Sequence, residues 1–109
     1  MNSKILKEFL KSKYRKEMWL NANKILKKIE KVLPIESTYL RGSFTTSKKR
    51  PADVDFIILI KIKDKSKVNW SIDLVICPNN KYGDLVVEDA TKWMKQKYGS
   101  KKAMFIKLK

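Results

Sequence analysis

The sequence predicts a single α/β domain over residues 1–109, in which one mixed sheet of about four strands packs against helices. Three observations predict it. A helix-period apolar pattern fills the first third of the chain, two strand-like apolar runs follow, and a second helical pattern comes after them. The 109 residues are enough for one hydrophobic core but not for two.

The N-terminal third predicts helix as far as Pro34. Ser3 can cap a helix that starts at Lys4. The apolar positions recur at helical spacing, as Ile5, Leu6, Phe9 and Leu10 and then as Met18, Ala22, Ile25, Ile29 and Val32. Either one long helix or two helices would satisfy this pattern, and we favour a break or bend near Lys11–Lys13.

The middle of the chain predicts two long strands. A short strand over Glu36–Arg41 leads into Gly42-Ser43, and Phe44–Lys49 forms a helical turn that Pro51 ends. Asp53–Ile62 is apolar on both faces beyond Asp55, so it should be a central strand covered on both sides. Lys63–Lys67 is a polar loop, and Asn69–Cys77 is the second long strand.

The last third predicts one helix and one edge strand. The helix opens at Gly83-Asp84 with Asp84 as its cap, and Gly99 supplies its C-terminal stop. Ala103–Leu108 is a closing strand whose lysines protect a sheet edge from pairing. The buried stripe of the helix and its edge are Val86, Ala90, Trp93, Met94 and Lys97.

The charge indicates a polyanionic partner. The formal net charge is +15, and of the 26 basic residues only Arg15, Arg41 and Arg50 are arginine. Such a charge favours RNA, DNA, nucleotide phosphates or an acidic protein surface. The alternative is that lysine simply fills solvated positions. The same two explanations apply to the basic helix face formed by Lys24, Lys27, Lys28 and Lys31.

Missing residue types exclude several kinds of chemistry. The chain has no histidine and only one cysteine, Cys77, which excludes His-based catalysis, thiolate metal cages and an intrachain disulfide. Any metal site must therefore use oxygen ligands, which Mg²⁺, Mn²⁺ and Ca²⁺ prefer. No apolar run is long enough to span a membrane and no signal-peptide core precedes the domain, so a cytoplasmic protein without a membrane partner is expected.

Three aspartates are the candidate metal ligands and catalytic residues. Asp53 and Asp55 are separated by one residue on a strand, so both project from one face and repel each other unless a cation compensates. Asp73 lies in the next predicted strand and would join them if the strands are neighbours. Such a cluster could hold two metal ions for phosphoryl transfer. The alternatives are that Asp53 is a turn residue, that Asp55 is a solvated charge at a strand end, and that Asp73 is a buried carboxylate whose hydrogen bonds are satisfied.

A turn and a basic segment precede the carboxylates. Gly42 permits close approach of a phosphate because it has no Cβ, and Ser43 offers a hydroxyl and a backbone N–H. Lys48, Lys49 and Arg50 could neutralise phosphate charge, although a solvated basic loop is the alternative. These five residues are the candidate nucleotide-binding residues.

The pattern of Gly42-Ser43, nine further residues, Asp53-Val54-Asp55 and a later Asp73 resembles the DNA polymerase beta-like nucleotidyltransferase superfamily, and the chain is similar in size to its minimal members. The resemblance covers residues 36–77 at the level of motifs. It implies a nucleotidyltransferase-like fold, Mg²⁺ or Mn²⁺ as cofactor, and an NTP, ATP foremost, as substrate. One departure is Arg41, where many relatives carry an aromatic residue.

The resemblance implies an enzyme that moves a nucleoside monophosphate to a protein or RNA hydroxyl. Gly42 and Ser43 would hold the phosphates, Asp53 and Asp55 both metals, and Asp73 would complete the site. Stand-alone minimal members are often paired with a small helical HEPN-type protein in toxin–antitoxin modules, here as the antitoxin half. The alternative is a non-catalytic module of the same fold that binds a partner protein or nucleic acid through its basic surface. Self-association is left open.

Overall fold

The computed structural model describes residues 3–62 and 68–109, which fall into two compact units. Unit 1 is the part up to residue 67, and unit 2 is residues 68–109. Unit 1 contains helices α1 (Ser3–Phe9) and α2 (Lys13–Val32) and strands β1 (Ile35–Arg41) and β2 (Asp55–Ile60). Unit 2 contains helix α3 (Lys81–Lys102). The described chain is thus of the α+β class.

The predicted break between the first two helices is confirmed. α1 ends at Phe9, and Ser12 caps α2 by accepting a hydrogen bond from the Arg15 backbone N–H at 3.1 Å. A serine at this position satisfies one of the N–H groups that a helix start leaves unpaired. The Ser12 cap therefore marks the start of a second helix after α1 has ended.

The two strands form an antiparallel pair that carries the candidate site at one end. Ile35 pairs with Ile60 at one end of the ladder and Arg41 with Asp55 at the other, with an irregularity between Ile35 and Ser37. The segment from Gly42 to Val54 links the paired ends, and it includes a short 3-10 turn at Ser43–Thr45. This ladder fixes the end of β1 beside the start of β2.

The core of unit 1 lies where α2 meets this linking segment. Phe44 is fully buried and Leu26 nearly so. The Trp19 ring stacks on Phe44 with 6.1 Å between centroids and tilts against Phe56 at 6.0 Å. The packed face of α2 thus includes Arg15, Trp19 and Leu26. In the predicted stripe, Met18, Ala22 and Ile29 are half-buried, whereas Ile25 and Val32 are exposed. Val32 is 80% exposed because it is the last helical residue.

Several predicted elements differ in the structure. Two strands are assigned in the described ranges rather than about four, since neither Asn69–Cys77 nor Ala103–Leu108 forms a hydrogen-bonded ladder, which a strand requires. β2 is not covered on both sides. Ile57 and Leu59 are 41% and 47% exposed, alternating with half-buried neighbours as in a sheet with one packed face. The predicted loop Lys63–Lys67 lies outside the described residues.

Helix α3 begins earlier than the sequence indicated. Asn80, not Asp84, is its cap, and the Asn80 side chain accepts hydrogen bonds from the backbone N–H groups of Tyr82 and Gly83. Gly99 adopts φ 70° and ψ 172°, a non-helical backbone that ends the long part of α3 as predicted, and the residues up to Lys102 follow beyond a kink. Nowhere in residues 3–62 and 68–109 is a helix both long and apolar enough to cross a membrane.

Candidate functional site

Gly42 brings the end of β1 against the first carboxylate of β2. Its backbone has φ 83° and ψ −159°, a conformation that essentially only glycine adopts. A Cβ added at Gly42 would lie 3.1 Å from Asp55 Oδ2 and 3.4 Å from Asp55 Cβ. The ladder pairs Arg41 with Asp55 and so sets this approach. A glycine is needed here both for the turn and for the space that the carboxylate occupies.

The turn after Gly42 is held by its own hydroxyl groups. The Thr45 N–H and hydroxyl donate to the Gly42 carbonyl at 3.0 and 2.7 Å. The Thr46 N–H and hydroxyl donate in the same way to the Ser43 carbonyl at 3.1 and 2.6 Å. The Lys48 N–H then donates to Thr46 Oγ1 at 3.2 Å. Each threonine thus donates two hydrogen bonds to one carbonyl of the Gly42-Ser43 turn.

The guanidinium of Arg15, on α2, binds the backbone of the segment from Phe44 to Lys48. Arg15 is 6% exposed, and its five N–H donors all reach backbone carbonyls. Nε donates to Lys48 O at 3.1 Å and Nη1 to Phe9 O at 3.1 Å and Phe44 O at 2.7 Å. Nη2 donates to Thr46 O at 2.7 Å and to Lys48 O at 2.5 Å. The positive charge is stabilised here by carbonyl dipoles and by the face of the Phe44 ring, 4.9 Å away.

Tyr14 anchors the far end of the linking segment. Its hydroxyl donates to the carbonyl of buried Pro51 at 2.6 Å, and the Arg50 guanidinium lies 4.7 Å from its ring centroid. Together with Arg15, Tyr14 places the first turn of α2 against the segment from Phe44 to Pro51. The turn that precedes Asp53 is therefore fixed at both ends by one helix.

Asp53, two residues before β2, is affected electrostatically by Asp55, the first residue of β2. Partial burial raises the pKa of Asp53 above its ordinary value, and the nearby charge of Asp55 raises the same pKa further. Lys48 opposes both effects and lowers this pKa. The charges of Asp55 and Lys48 thus act in opposite directions on one carboxyl group. Additional positive charge would lower the free energy of the doubly ionised pair.

The structure brings together most, but not all, of the predicted site. Gly42, Ser43, Lys48 and the pair Asp53 and Asp55 lie in one part of unit 1. Arg50 stacks on Tyr14, and Lys49 is exposed. Asp73 belongs to unit 2, where it is exposed in an irregular segment. Within the described part of unit 1, no group of three or more carboxylate or thiol side chains could hold a metal ion.

The oxygen donors present nevertheless fit the kind of metal that the sequence implies. The Asp53–Asp55 pair offers carboxylate oxygens and no nitrogen or sulfur, the donor set of Mg²⁺ and Mn²⁺. Burial and the charge of Asp55 both raise the pKa of Asp53, and a bound cation would oppose both effects. Magnesium commonly binds through one or two carboxylates and completes its shell with water and phosphate. Two protein ligands are therefore sufficient for an exposed metal–nucleotide site.

The carboxylates lie on an open surface rather than in an enclosed cavity. A cavity of about 520 Å³ is lined by Glu30 and the segment 33–38, at the end of α2 and the start of β1. Gly42 follows the opposite end of β1. The candidate site is thus separate from this cavity.

Sequence reasoning missed Arg15 and Tyr14, the residues that hold the site segment in place. One signal for Arg15 was available. Arg15, Trp19, Ala22 and Leu26 recur at spacings of four, three and four, so the arginine occupies the first position of an otherwise apolar helix face. A charge on a buried face needs partners. The identity of those partners was not readable, because three of the four are carbonyls 29 to 33 residues further along the chain.

Comparisons with known proteins assign the chain to a family. A family model described as "Family of unknown function (DUF6932)" matches residues 2–109, nearly the whole chain. Neither the curated proteins nor the solved structures gave a match. The match covers the turn at Gly42, the carboxylate pair and unit 2 alike. The chain therefore belongs to the DUF6932 family, a family of unknown function.

Proposed function

We propose that this protein is a metal-dependent nucleotidyltransferase that uses the Gly42 turn and the Asp53–Asp55 pair. The observation that supports it most strongly is the contact between Gly42 and Asp55, in which a Cβ on the glycine would lie 3.1 Å from Asp55 Oδ2. Because Gly42 has no Cβ, the backbone of the Gly42-Ser43 turn lies against Asp55, which is an oxygen ligand for a metal in this proposal. The resemblance to the polymerase beta-like superfamily rests on the same residues.

The reaction is a displacement at the α-phosphorus of an NTP. The hydroxyl oxygen of an RNA or protein acceptor forms a bond to the α-phosphorus, and the bond from that phosphorus to the bridging oxygen breaks. Pyrophosphate leaves, and the hydroxyl proton passes to a carboxylate and then to water. A Mg²⁺ ion, when bound, supplies positive charge to the phosphate oxygens.

The residues of the chain have separate roles in this proposal. Asp53 and Asp55 would ligate the metal, and Ser43 and Lys48 would contact the phosphates. The Arg15 and Tyr14 contacts keep Lys48 and the turn in position before the substrate arrives, which lowers the entropic cost of binding. Asp73 remains the proposed third carboxylate, and its role is tested by its own variant.

The experiment is incubation with each α-labelled NTP and Mg²⁺, with RNA and protein acceptors, followed by detection of the labelled species. Wild-type protein should transfer label, and Asp53→Asn and Asp55→Asn should each lower the rate by several orders of magnitude while remaining folded. Glu36→Gln removes one exposed carboxylate elsewhere in unit 1 and is the matched control. Transfer by Asp53→Asn at the wild-type rate would show that the metal assignment is wrong.

The proposal also implies the mixed sheet of about four strands. Its support is the alternation in the segment 71–77, where Ile72, Leu74 and Ile76 are at least 58% exposed apolar residues in an unpaired segment. Pairing would satisfy their backbone groups and cover these side chains. Amide hydrogen exchange checks this: strong protection across residues 71–77 supports the additional strand, and rapid exchange contradicts it.

A further inference from the structure

One face of α2 is a continuous basic surface. We call it the lysine face, and its members share exposure and helical spacing: Lys13, Lys16, Lys24, Lys27, Lys28 and Lys31. At 1.5 Å per residue the face is about 27 Å long. Glu17 is the acidic residue that lies among these lysines.

The charges of the lysine face are not neutralised within the described chain. In residues 3–62 and 68–109 the one ion pair is between Lys92 and Glu88 of α3, so the described lysines of α2 have no carboxylate within 4 Å. Six positive charges along one helix repel one another, which raises their electrostatic free energy. A partner that carries a row of negative charges would remove this repulsion.

The opposite side of α2 shows what kind of partner fits. A helix that lies on a membrane surface inserts a free apolar face between the lipids. In α2 that face is already occupied, since Leu26 is buried and Trp19 packs on Phe44 and Phe56. A protein interface would require an apolar or aromatic centre and few lysines. The lysine face has only Leu20, 54% exposed, as an apolar residue.

The first turn of α2 connects the helix that carries the lysine face to the segment beside the candidate site. The first turn of α2 carries Lys13 and Lys16, and the same turn carries Tyr14 and Arg15, which bind the segment from Phe44 to Pro51. That segment contains Lys48, whose charge acts on Asp53. The N-terminal end of α2, where the lysine face begins, is therefore the part of the helix that binds the segment containing Lys48.

We infer that the lysine face binds the phosphodiester backbone of a nucleic acid, and that this strand is the acceptor class of the transferase, the second part resting on the proposed function. Lysine contacts phosphates as a point charge without reading bases. The binding is therefore independent of sequence and strongly dependent on salt. The chain end or ribose hydroxyl that reaches the carboxylates receives the nucleotide.

Fluorescence anisotropy with labelled single-stranded RNA, the same strand as DNA, and both duplexes tests the inference. The variant Lys24→Gln/Lys27→Gln/Lys31→Gln neutralises the part of the face far from the carboxylates. Its charge-matched control neutralises three exposed lysines of unit 2, at Lys81, Lys95 and Lys107. Three lost phosphate contacts should reduce the slope of log K against log salt by about 2 for a single strand, which is about 100-fold in affinity at 0.1 M salt. The control should keep most of the slope.

The outcomes separate this inference from the proposed function. Equal binding by the two triple variants, or binding to anionic vesicles but to none of the oligonucleotides, would overturn the inference. Mn²⁺-dependent nucleotide binding, measured on the same proteins, should be unchanged in the α2 variant and lost in Asp53→Asn. Absence of that nucleotide binding in wild-type protein would overturn the proposed function and leave the nucleic-acid interface intact. Label transfer to the oligonucleotide should decrease in the α2 variant together with its affinity for the oligonucleotide.

Discussion

Replacing Gly42 with alanine should damage the candidate site more than it damages the fold. The backbone at φ 83° and ψ −159° disfavours any L-residue, at a cost of about 1–3 kcal/mol in the free energy of unfolding. The new Cβ would also lie 3.1 Å from Asp55 Oδ2, so the carboxylate must move by a few tenths of an ångström. Displacing one of the two proposed metal ligands should lower the affinity for a Mn²⁺–nucleotide complex by about tenfold to 100-fold.

The chain offers a matched control for this substitution. Gly99 has nearly the same backbone, with φ 70° and ψ 172°, but nothing lies within 4 Å of the position its Cβ would take. Gly99→Ala therefore repeats the backbone strain without the contact with a carboxylate. Urea unfolding should show a loss of stability in Gly42→Ala, and nucleotide titration should show weaker binding in this variant only. Binding reduced equally in the two variants, or in neither, would refute the role of the Gly42–Asp55 contact.

Three further predictions concern the segment around the site. Arg15→Met should lower the free energy of unfolding by about 3 kcal/mol, because buried carbonyls lose their donors. Arg41→Met, at an exposed position, should change the free energy of unfolding by less than about 0.5 kcal/mol, and equal urea midpoints for the two variants would contradict this prediction. Tyr14→Phe should cost about 1 kcal/mol through the lost hydrogen bond to Pro51, measured in the same way, and an unchanged stability would refute that bond. Asp53→Asn should stabilise the protein at neutral pH, since the folded pKa of Asp53 is raised and folding therefore opposes its ionisation. The gain should disappear as the pH falls through the raised folded pKa towards the unfolded value near 3.9, and a gain that persists at lower pH would contradict the assignment.

Local sequence signals predicted the elements that depend on local interactions. The helix break near Lys11–Lys13 was readable because Ser12 is a capping residue and the apolar spacing is interrupted there. The Gly42 turn was readable because a missing Cβ acts within a few residues. The strand predicted to start at Asp53 starts at Asp55, so the placement of both carboxylates on one strand face stays a prediction.

Features set by distant contacts were not readable. The acceptors of Arg15 lie 29 to 33 residues away for three of its four carbonyls, and no local pattern indicates them. Strand formation by Asn69–Cys77 was predicted from alternation alone, whereas a strand needs a ladder partner, and alternation does not specify one. The predicted placement of Asp73 beside the other carboxylates depended on that strand, so it also stays a prediction.

The central claim is that the Asp53–Asp55 pair beside Gly42 binds a divalent metal, and paramagnetic broadening by Mn²⁺ tests it most directly. Trace Mn²⁺ added to isotope-labelled protein should broaden the amide signals of Gly42, Ser43 and Asp55 first, and more so with a nucleotide present. Asp55→Asn should abolish the broadening at Gly42 and Ser43. Broadening centred instead on Glu30 and Glu36, or no selective broadening in the wild-type protein, would contradict the account.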